Sequence, residues 1–137
     1  MNQRTYLRAY MAGITVPTII LLGIAISFSI FRYVYNVPVP VERVIVFPMA
    51  VVPNVWGLWN MLFVALHARM GVSIGLHGAV LPLFLAPLGL VLSRVLDFPI
   101  PHGVWALVPI GIFVGMAVYY LAWKYLVGSL NGVLGIA

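Results

Sequence analysis

The sequence lacks cysteine altogether and contains very few charged residues. None of its 137 residues is cysteine, which excludes disulfides, thiolate catalysis, iron–sulfur clusters and thiolate zinc sites within it. Charged residues make up 7% and hydrophobic residues 64%, whereas a soluble domain of this size carries about 25% charged residues. So few charges cannot cover a water-facing surface. The composition therefore predicts an integral membrane protein.

Acidic residues are almost absent, and this limits the function. Glu42 and Asp97 are the only two, and both lie outside the long apolar runs, which argues against a pump that depends on buried carboxylates. The sequence also has no glycine-rich phosphate loop and no HExxH. A non-enzymatic role is therefore favoured, and the alternative is an enzyme that acts on lipid with Arg and His alone. The formal charge of +5 comes from cations near the ends of apolar runs, where they suit lipid headgroups rather than nucleic acid.

Four apolar runs are each long enough to cross a membrane as a helix. They cover about residues 11–34, 44–67, 72–93 and 104–127, and a hydrocarbon core of ~30 Å needs only ~20 residues at ~1.5 Å per residue. The first run is too long for the apolar part of a signal peptide, so we expect it to be retained. Since every backbone group in lipid must be bonded within a helix, we predict one all-α transmembrane domain. It covers residues 1–137 as a four-helix bundle with short links.

Two of the links resemble each other. NVPVP (36–40) and DFPIP (97–101) lie 61 residues apart, and a further proline follows eight residues after each, at Pro48 and Pro109. This pattern predicts two tandem two-helix units, which would be parallel repeats. The alternative is chance, because proline is common in interfacial links and in first helical turns.

Cations near the span ends give an expected orientation. On the side of the termini lie Arg4, Arg8, Arg69 and Lys124, and on the opposite side lie Arg32, Arg43 and Arg94. By the positive-inside rule, four cations against three favour both termini in the cytoplasm, and the alternative is a dual topology.

Asn60 is the most diagnostic polar residue inside an apolar run. Asn60 and His67 follow Pro53 at intervals of seven residues, so they share one helix face. That face should point inward, because an amide exposed to hydrocarbon is costly. We predict that Asn60 bonds to another helix, a contact that contributes about 0.6–2 kcal/mol. The alternative is a role in the path of a small solute or ion.

The third run offers a partner for this inward face. Pro82 and Pro87 each remove a helical hydrogen bond, so we expect a kink and free carbonyl oxygens one turn earlier. These oxygens can accept from the Asn60 amide. Small residues in the third and fourth runs allow close helix packing. We assign this packing role to Gly75, Ala79, Pro82, Ala86, Gly89, Gly111 and Gly115.

Two histidines flank the short link between the second and third runs. His67 and His77 should lie on the same side of the membrane, with His102 on the other. Three roles remain open for the pair: bonding to backbone or headgroups, proton titration or substrate contact in a polar vestibule, and ligation of a b-type haem. A haem would need both histidines well inside facing helices, whereas His67 is close to a helix end. We predict no other metal site.

Both acids lie in the proline-containing links, among cations. We predict a charge-compensated cluster that joins the two halves of the bundle, with a binding site for a small polar or anionic group as the alternative. Its members are Arg32, Glu42, Arg43, Arg94, Asp97 and His102.

These features favour a small polytopic membrane protein without enzymatic activity. We expect it to act as a homo-oligomer or as a subunit of a larger membrane assembly, with the lipid bilayer and other membrane chains as partners. A polar path near Asn60, His67 and His77 is an added hypothesis. The rival interpretation is an electron-transfer subunit that binds haem b through His67 and His77. The leading interpretation requires neither a cofactor nor nucleic acid.

Overall fold

Four long helices make up the computed structural model, which describes residues 3–98 and 102–136. They are α1 (Gln3–Tyr33), α2 (Val41–Met70), α3 (Ile74–Val95) and α4 (His102–Val133), and each is long and apolar enough to cross a membrane. The all-α membrane fold is thus confirmed, and the described residues contain no strand. At the outer ends the helices extend beyond the apolar runs, since α1 begins at Gln3 and α4 continues to Val133.

Three of the helices change their winding along their length. In α2 a π-helical turn, Ile45–Met49, precedes the regular helix Ala50–Met70. α3 is interrupted at Leu81, between Ile74–Val80 and Pro82–Val95. Pro48 and Pro82 lie at or beside these irregularities, as expected of a residue that lacks an N–H donor.

α4 has the most varied winding. It begins as a 3₁₀ turn, His102–Leu107, continues as Val108–Leu121, widens to a π turn at Ala122–Val127 and ends as Gly128–Val133. A π turn shifts the register of all later side chains relative to those before it. The buried residues of α4, Trp123, Val127 and Asn131, lie in and after this turn, and none of residues 102–122 is buried.

The helices pack most extensively as two pairs, α1 with α2 and α3 with α4. A Cβ added at Gly13 would lie 2.6 Å from the Trp56 carbonyl oxygen and 2.8 Å from the Gly57 Cα, so the backbones of α1 and α2 touch at this crossing. In the second pair, a Cβ at Gly75 would lie 2.8 Å from the Tyr120 ring, and one at Gly78 would overlap the Trp123 side chain. Glycine therefore sets the close approach within both pairs.

The two pairs end their first helices in the same way. Asn36 follows α1 with φ +54° and Asp97 follows α3 with φ +52°, at the 61-residue offset of the predicted repeat. Asn and Asp tolerate this left-handed conformation better than other non-glycine residues. Pro99 and Pro101 of the second link lie outside the described residues, and duplication itself stays a prediction.

The core lies towards one end of the bundle. The terminal end, defined by Gln3, the 71–73 link and Val133, contains most of the buried apolar side chains: Ala9, Ala12, Val16, Trp56, Phe63, Val64, Leu81, Trp123 and Val127. At the opposite proline-link end, defined by residues 34–40 and 96–98, apolar side chains of α1 and α4 are exposed. The densest part of the core therefore lies nearer the terminal end than the proline-link end.

Candidate functional site

Asn60 and Asn131 form a reciprocal amide pair in the core of the terminal end. The Asn60 Nδ2 donates to Asn131 Oδ1 at 2.8 Å, and the Asn131 Nδ2 donates to Asn60 Oδ1 at 3.1 Å. The second Asn60 N–H reaches the Ala9 carbonyl oxygen, also at 2.8 Å. Asn60 is 0% exposed and Asn131 1% exposed. One pair of side chains therefore joins α2 to both α1 and α4.

The partner predicted for Asn60 was wrong. The Gly78 carbonyl, which Pro82 leaves without its helical donor, accepts instead from the Leu81 N–H at 3.1 Å. It is satisfied locally and is not used by the amide. Asn60 turns away from α3, and its acceptors lie on α1 and α4.

Asn131 was not recognised from the sequence because it follows the apparent end of the fourth run. A usable signal does exist. Trp123, Val127 and Asn131 recur every four residues, and all three are at most 1% exposed. Residues four apart lie on the same helix face, so this spacing extends the buried face past the point where the apolar run stops.

His77 is joined to Trp59 by a second reciprocal contact, between α3 and α2. The Trp59 Nε1 donates to the His77 carbonyl at 2.9 Å, and the His77 Nε2 lies 2.9 Å from the Trp59 carbonyl. Because a carbonyl only accepts, the Nε2 must carry the proton of this bond. The two rings are stacked with centroids 4.8 Å apart.

His67 does not share the inward face of Asn60, contrary to the sequence prediction. It is exposed, and its Nδ1 lies 3.0 Å from the Val72 carbonyl, so it bonds across the short link next to Gly71, whose φ of +61° ends α2. The last turn of α2 extends beyond the packed core, which places His67 outside it. Among the three roles left open, backbone bonding describes both histidines.

The two imidazoles do not form a ready haem site. The Phe63 ring packs against both, with centroids 5.0 Å from His67 and 5.4 Å from His77, so a haem between them would have to displace it.

Aromatic rings fill the space between the two helix pairs. Trp56 of α2 meets Tyr119 edge-on at 4.9 Å and lies 5.3 Å from Trp123, both in α4. Trp123 in turn lies 5.8 Å from His77. Within the described residues, the Trp56 and Trp123 Nε1 atoms are buried without an oxygen or nitrogen partner. Ring packing, rather than polar bonding, therefore holds these indoles.

No protein-family model, curated protein or solved structure matches this chain. Its function must therefore be inferred from the contacts of its own residues.

The predicted charge cluster forms only in part. Arg32 and Glu42 make the single ion pair within residues 3–98 and 102–136, and it joins α1 to α2 inside the first pair rather than across the two halves. The Arg43 guanidinium lies 5.4 Å from the Phe98 ring centroid. The remaining members do not form ion pairs in that region: Arg94 lies 5.9 Å from the Trp105 ring centroid, Asp97 occupies the left-handed turn, and His102 is exposed.

The predicted small packing residues fall into different environments. Gly75 and Gly115 face the neighbouring helix, since a Cβ at Gly115 would lie 3.7 Å from Pro82. A Cβ at Gly89 would lie 3.2 Å from Phe47 of α2, whereas Gly111 has open space around it. Pro82 is buried, and Ala79 and Ala86 are half-buried. Gly111 therefore does not pack within the chain, although Gly115 of the same small-residue motif does.

Proposed function

We propose that this protein is a non-enzymatic multi-pass membrane subunit that works as an oligomer or within a larger membrane assembly. The observation that supports this proposal is the buried Asn60–Asn131 pair, whose amides form hydrogen bonds with other helices of the same chain. In lipid, such bonds hold helices together, which is here called the fastener role. The side-chain amides of Asn60 and Asn131 are thus engaged in holding the bundle together.

The distribution of packing supports an assembly role. Polar contacts link all four helices at the terminal end, since Asn60 reaches α1 and α4 while Trp59 reaches His77 of α3. At the proline-link end, residues such as Ile110, Phe113 and Val114 of α4 are more than half exposed. A firmly closed end beside an open apolar end suits a chain that presents helix surfaces to other membrane chains.

A polar path for a small solute is the variant of this proposal that requires movement. In the closed pair, each amide oxygen accepts from the other residue and the Asn60 Nδ2 makes two bonds. A solute could reach these groups only if the pair opened. The resting arrangement favours the fastener role.

The deciding experiment compares Asn60→Ala with Asn54→Ala. Both residues lie on α2, but Asn54 is exposed: it donates to the Ala50 carbonyl of its own helix and accepts from the Tyr10 hydroxyl of α1. We expect Asn60→Ala to lower the yield of the native oligomer or complex in mild detergent, measured by native mass spectrometry, and Asn54→Ala to preserve it. Flux measured in reconstituted vesicles should be the same for both variants and the parent.

The opposite result would support the path. If Asn60→Ala kept its assembly state and its thermal stability but lost flux of a small solute, the fastener role would be wrong. If it changed neither assembly nor flux, both versions would be wrong.

We also propose that both termini lie in the cytoplasm. The support is the surplus of cations at the terminal end, where Arg4, Arg8, Arg69 and Lys124 lie.

A further inference from the structure

We propose that Arg43 and the groove beside it bind one anionic phospholipid. The groove, here called the Arg43 groove, lies at the proline-link end between the start of α2 and the end of α3. It encloses about 200 Å³ and is lined by Arg43, Phe47, Gly89, Leu92, Ser93 and Phe98, with two further apolar neighbours. A cation at its mouth and apolar walls below it match the two parts of an amphiphile.

The charge of Arg43 is not neutralised by the chain. Glu42 bonds to Arg32, and within the described residues no carboxylate lies within 4.0 Å of Arg43. The residues outside that region are not acidic. The Phe98 ring lies over one face of the guanidinium, with its centroid 5.4 Å from Cζ, and contact with a face does not use the in-plane N–H donors. A planar guanidinium presents these donors in a fork that fits phosphate oxygens.

The apolar part of the site continues towards the bilayer centre. Phe47 also lines a second groove of about 350 Å³, which runs between α2, α3 and α4 past Val52 and Tyr119. Arg43 and Val52 are nine residues apart, which corresponds to about 14 Å along a helix. One leaflet of the hydrocarbon core is about 15 Å deep. The two grooves adjoin at Phe47, and together they reach about as deep as one leaflet below a headgroup at Arg43.

Charge decides between a lipid and a second copy of this chain as the occupant. A second copy could offer only Glu42, which is already paired, or Asp97 in a backbone turn. An anionic phospholipid supplies both the phosphate for Arg43 and the chain for the grooves. Inorganic phosphate would use the cation alone.

Native mass spectrometry of the detergent-purified protein tests this proposal. The protein is titrated with phosphatidylglycerol or phosphatidylcholine of identical acyl chains. We expect the parent to bind phosphatidylglycerol about fivefold more tightly, the preference that one interfacial arginine supplies. Arg43→Gln should remove this preference, and Arg43→Lys, which keeps the charge without the fork, should keep part of it.

Arg94→Gln is the matched control. Arg94 lies at the same end, its guanidinium also faces an aromatic ring, at 5.9 Å, and it does not line the Arg43 groove. This variant should retain the lipid preference. Gly89→Leu should weaken both lipids alike, because a Cβ there would already lie 3.2 Å from Phe47 and a longer side chain would fill the groove.

Three results would overturn the proposal. Equal loss of preference in Arg43→Gln and Arg94→Gln would mean a diffuse surface charge rather than a site. Displacement of phosphatidylglycerol by millimolar inorganic phosphate would mean headgroup binding without the groove. Retention of full lipid preference by folded Arg43→Gln would place the lipid elsewhere.

Discussion

Asn60 and Asn131 exchange two hydrogen bonds although they lie 71 residues apart in the sequence. The contact joins the second and fourth helices, and the bond from Asn60 to Ala9 adds the first. An amide in hydrocarbon has no water to fall back on. Each asparagine can therefore be buried because the other supplies hydrogen bonds to its amide.

Loss of the amide pair should destabilise the bundle. Asn60→Ala removes the bonds to Ala9 and Asn131 and leaves the Asn131 amide buried without a partner, so we expect a loss of about 2–4 kcal/mol in the free energy of unfolding. Unfolding in mixed SDS micelles, followed by tryptophan fluorescence, measures it. Asn131→Ala should have a similar effect, and the double variant should cost less than the sum of the two. Additive losses would show that the residues do not interact.

The two histidines should differ sharply when each is replaced by alanine. His77→Ala removes a buried ring stacked on Trp59 together with its hydrogen bond to the Trp59 carbonyl, so we expect a loss of about 1–3 kcal/mol. His67→Ala removes an exposed side chain and should cost under about 0.5 kcal/mol. Equal effects on unfolding would contradict the placement of His77 in the core.

Glycine substitutions should separate packed from unpacked helix surfaces. A Cβ at Gly78 would overlap the Trp123 side chain, whereas Gly111 has nothing within 4 Å. Gly78→Ala should therefore destabilise the protein by about 1–3 kcal/mol through overpacking. Gly111→Ala should be neutral or stabilising by up to about 1 kcal/mol, since alanine favours helix more than glycine does. An unchanged free energy of unfolding for Gly78→Ala in the same assay would contradict the close packing of Gly78 against Trp123.

Single cysteines should report the orientation of the chain, because it has no cysteine of its own. Tyr35 at the proline-link end and Met70 at the terminal end are equally exposed, at 66% each. With both termini cytoplasmic, Tyr35→Cys should react with a membrane-impermeant maleimide in intact cells. Met70→Cys should react only after permeabilisation. The reverse labelling pattern would invert the proposed topology.

The helices could be predicted from the sequence because hydrocarbon imposes a simple requirement on length and composition. The burial of Asn60 followed from the cost of exposing an amide to lipid. The partner of Asn60 could not be predicted, since a local pattern in one helix does not show which neighbouring helix its side chains contact. The close crossing of Gly13 with Gly57 depends likewise on how two distant helices are placed.

The outward position of His67 shows a different limit. A seven-residue spacing assigns it to the same face as Asn60, but a helix face is buried only along the length that its neighbours cover. His67 belongs to the last turn of α2, beyond that cover. The predicted charge cluster is incomplete for a different reason. The Arg43 guanidinium lies over the Phe98 ring rather than beside an acidic side chain.

The two asparagines of the amide pair are synthesised at different times. Ribosomes add about 5–20 residues per second, so the 71 residues between Asn60 and Asn131 take about 4–14 s to make. During this interval the first helix pair can already pack through its glycines. The Asn60 amide oxygen, however, still lacks the donor that Asn131 will supply. A nascent chain that stops before residue 131 therefore carries the Asn60 side chain in lipid without its Asn131 partner.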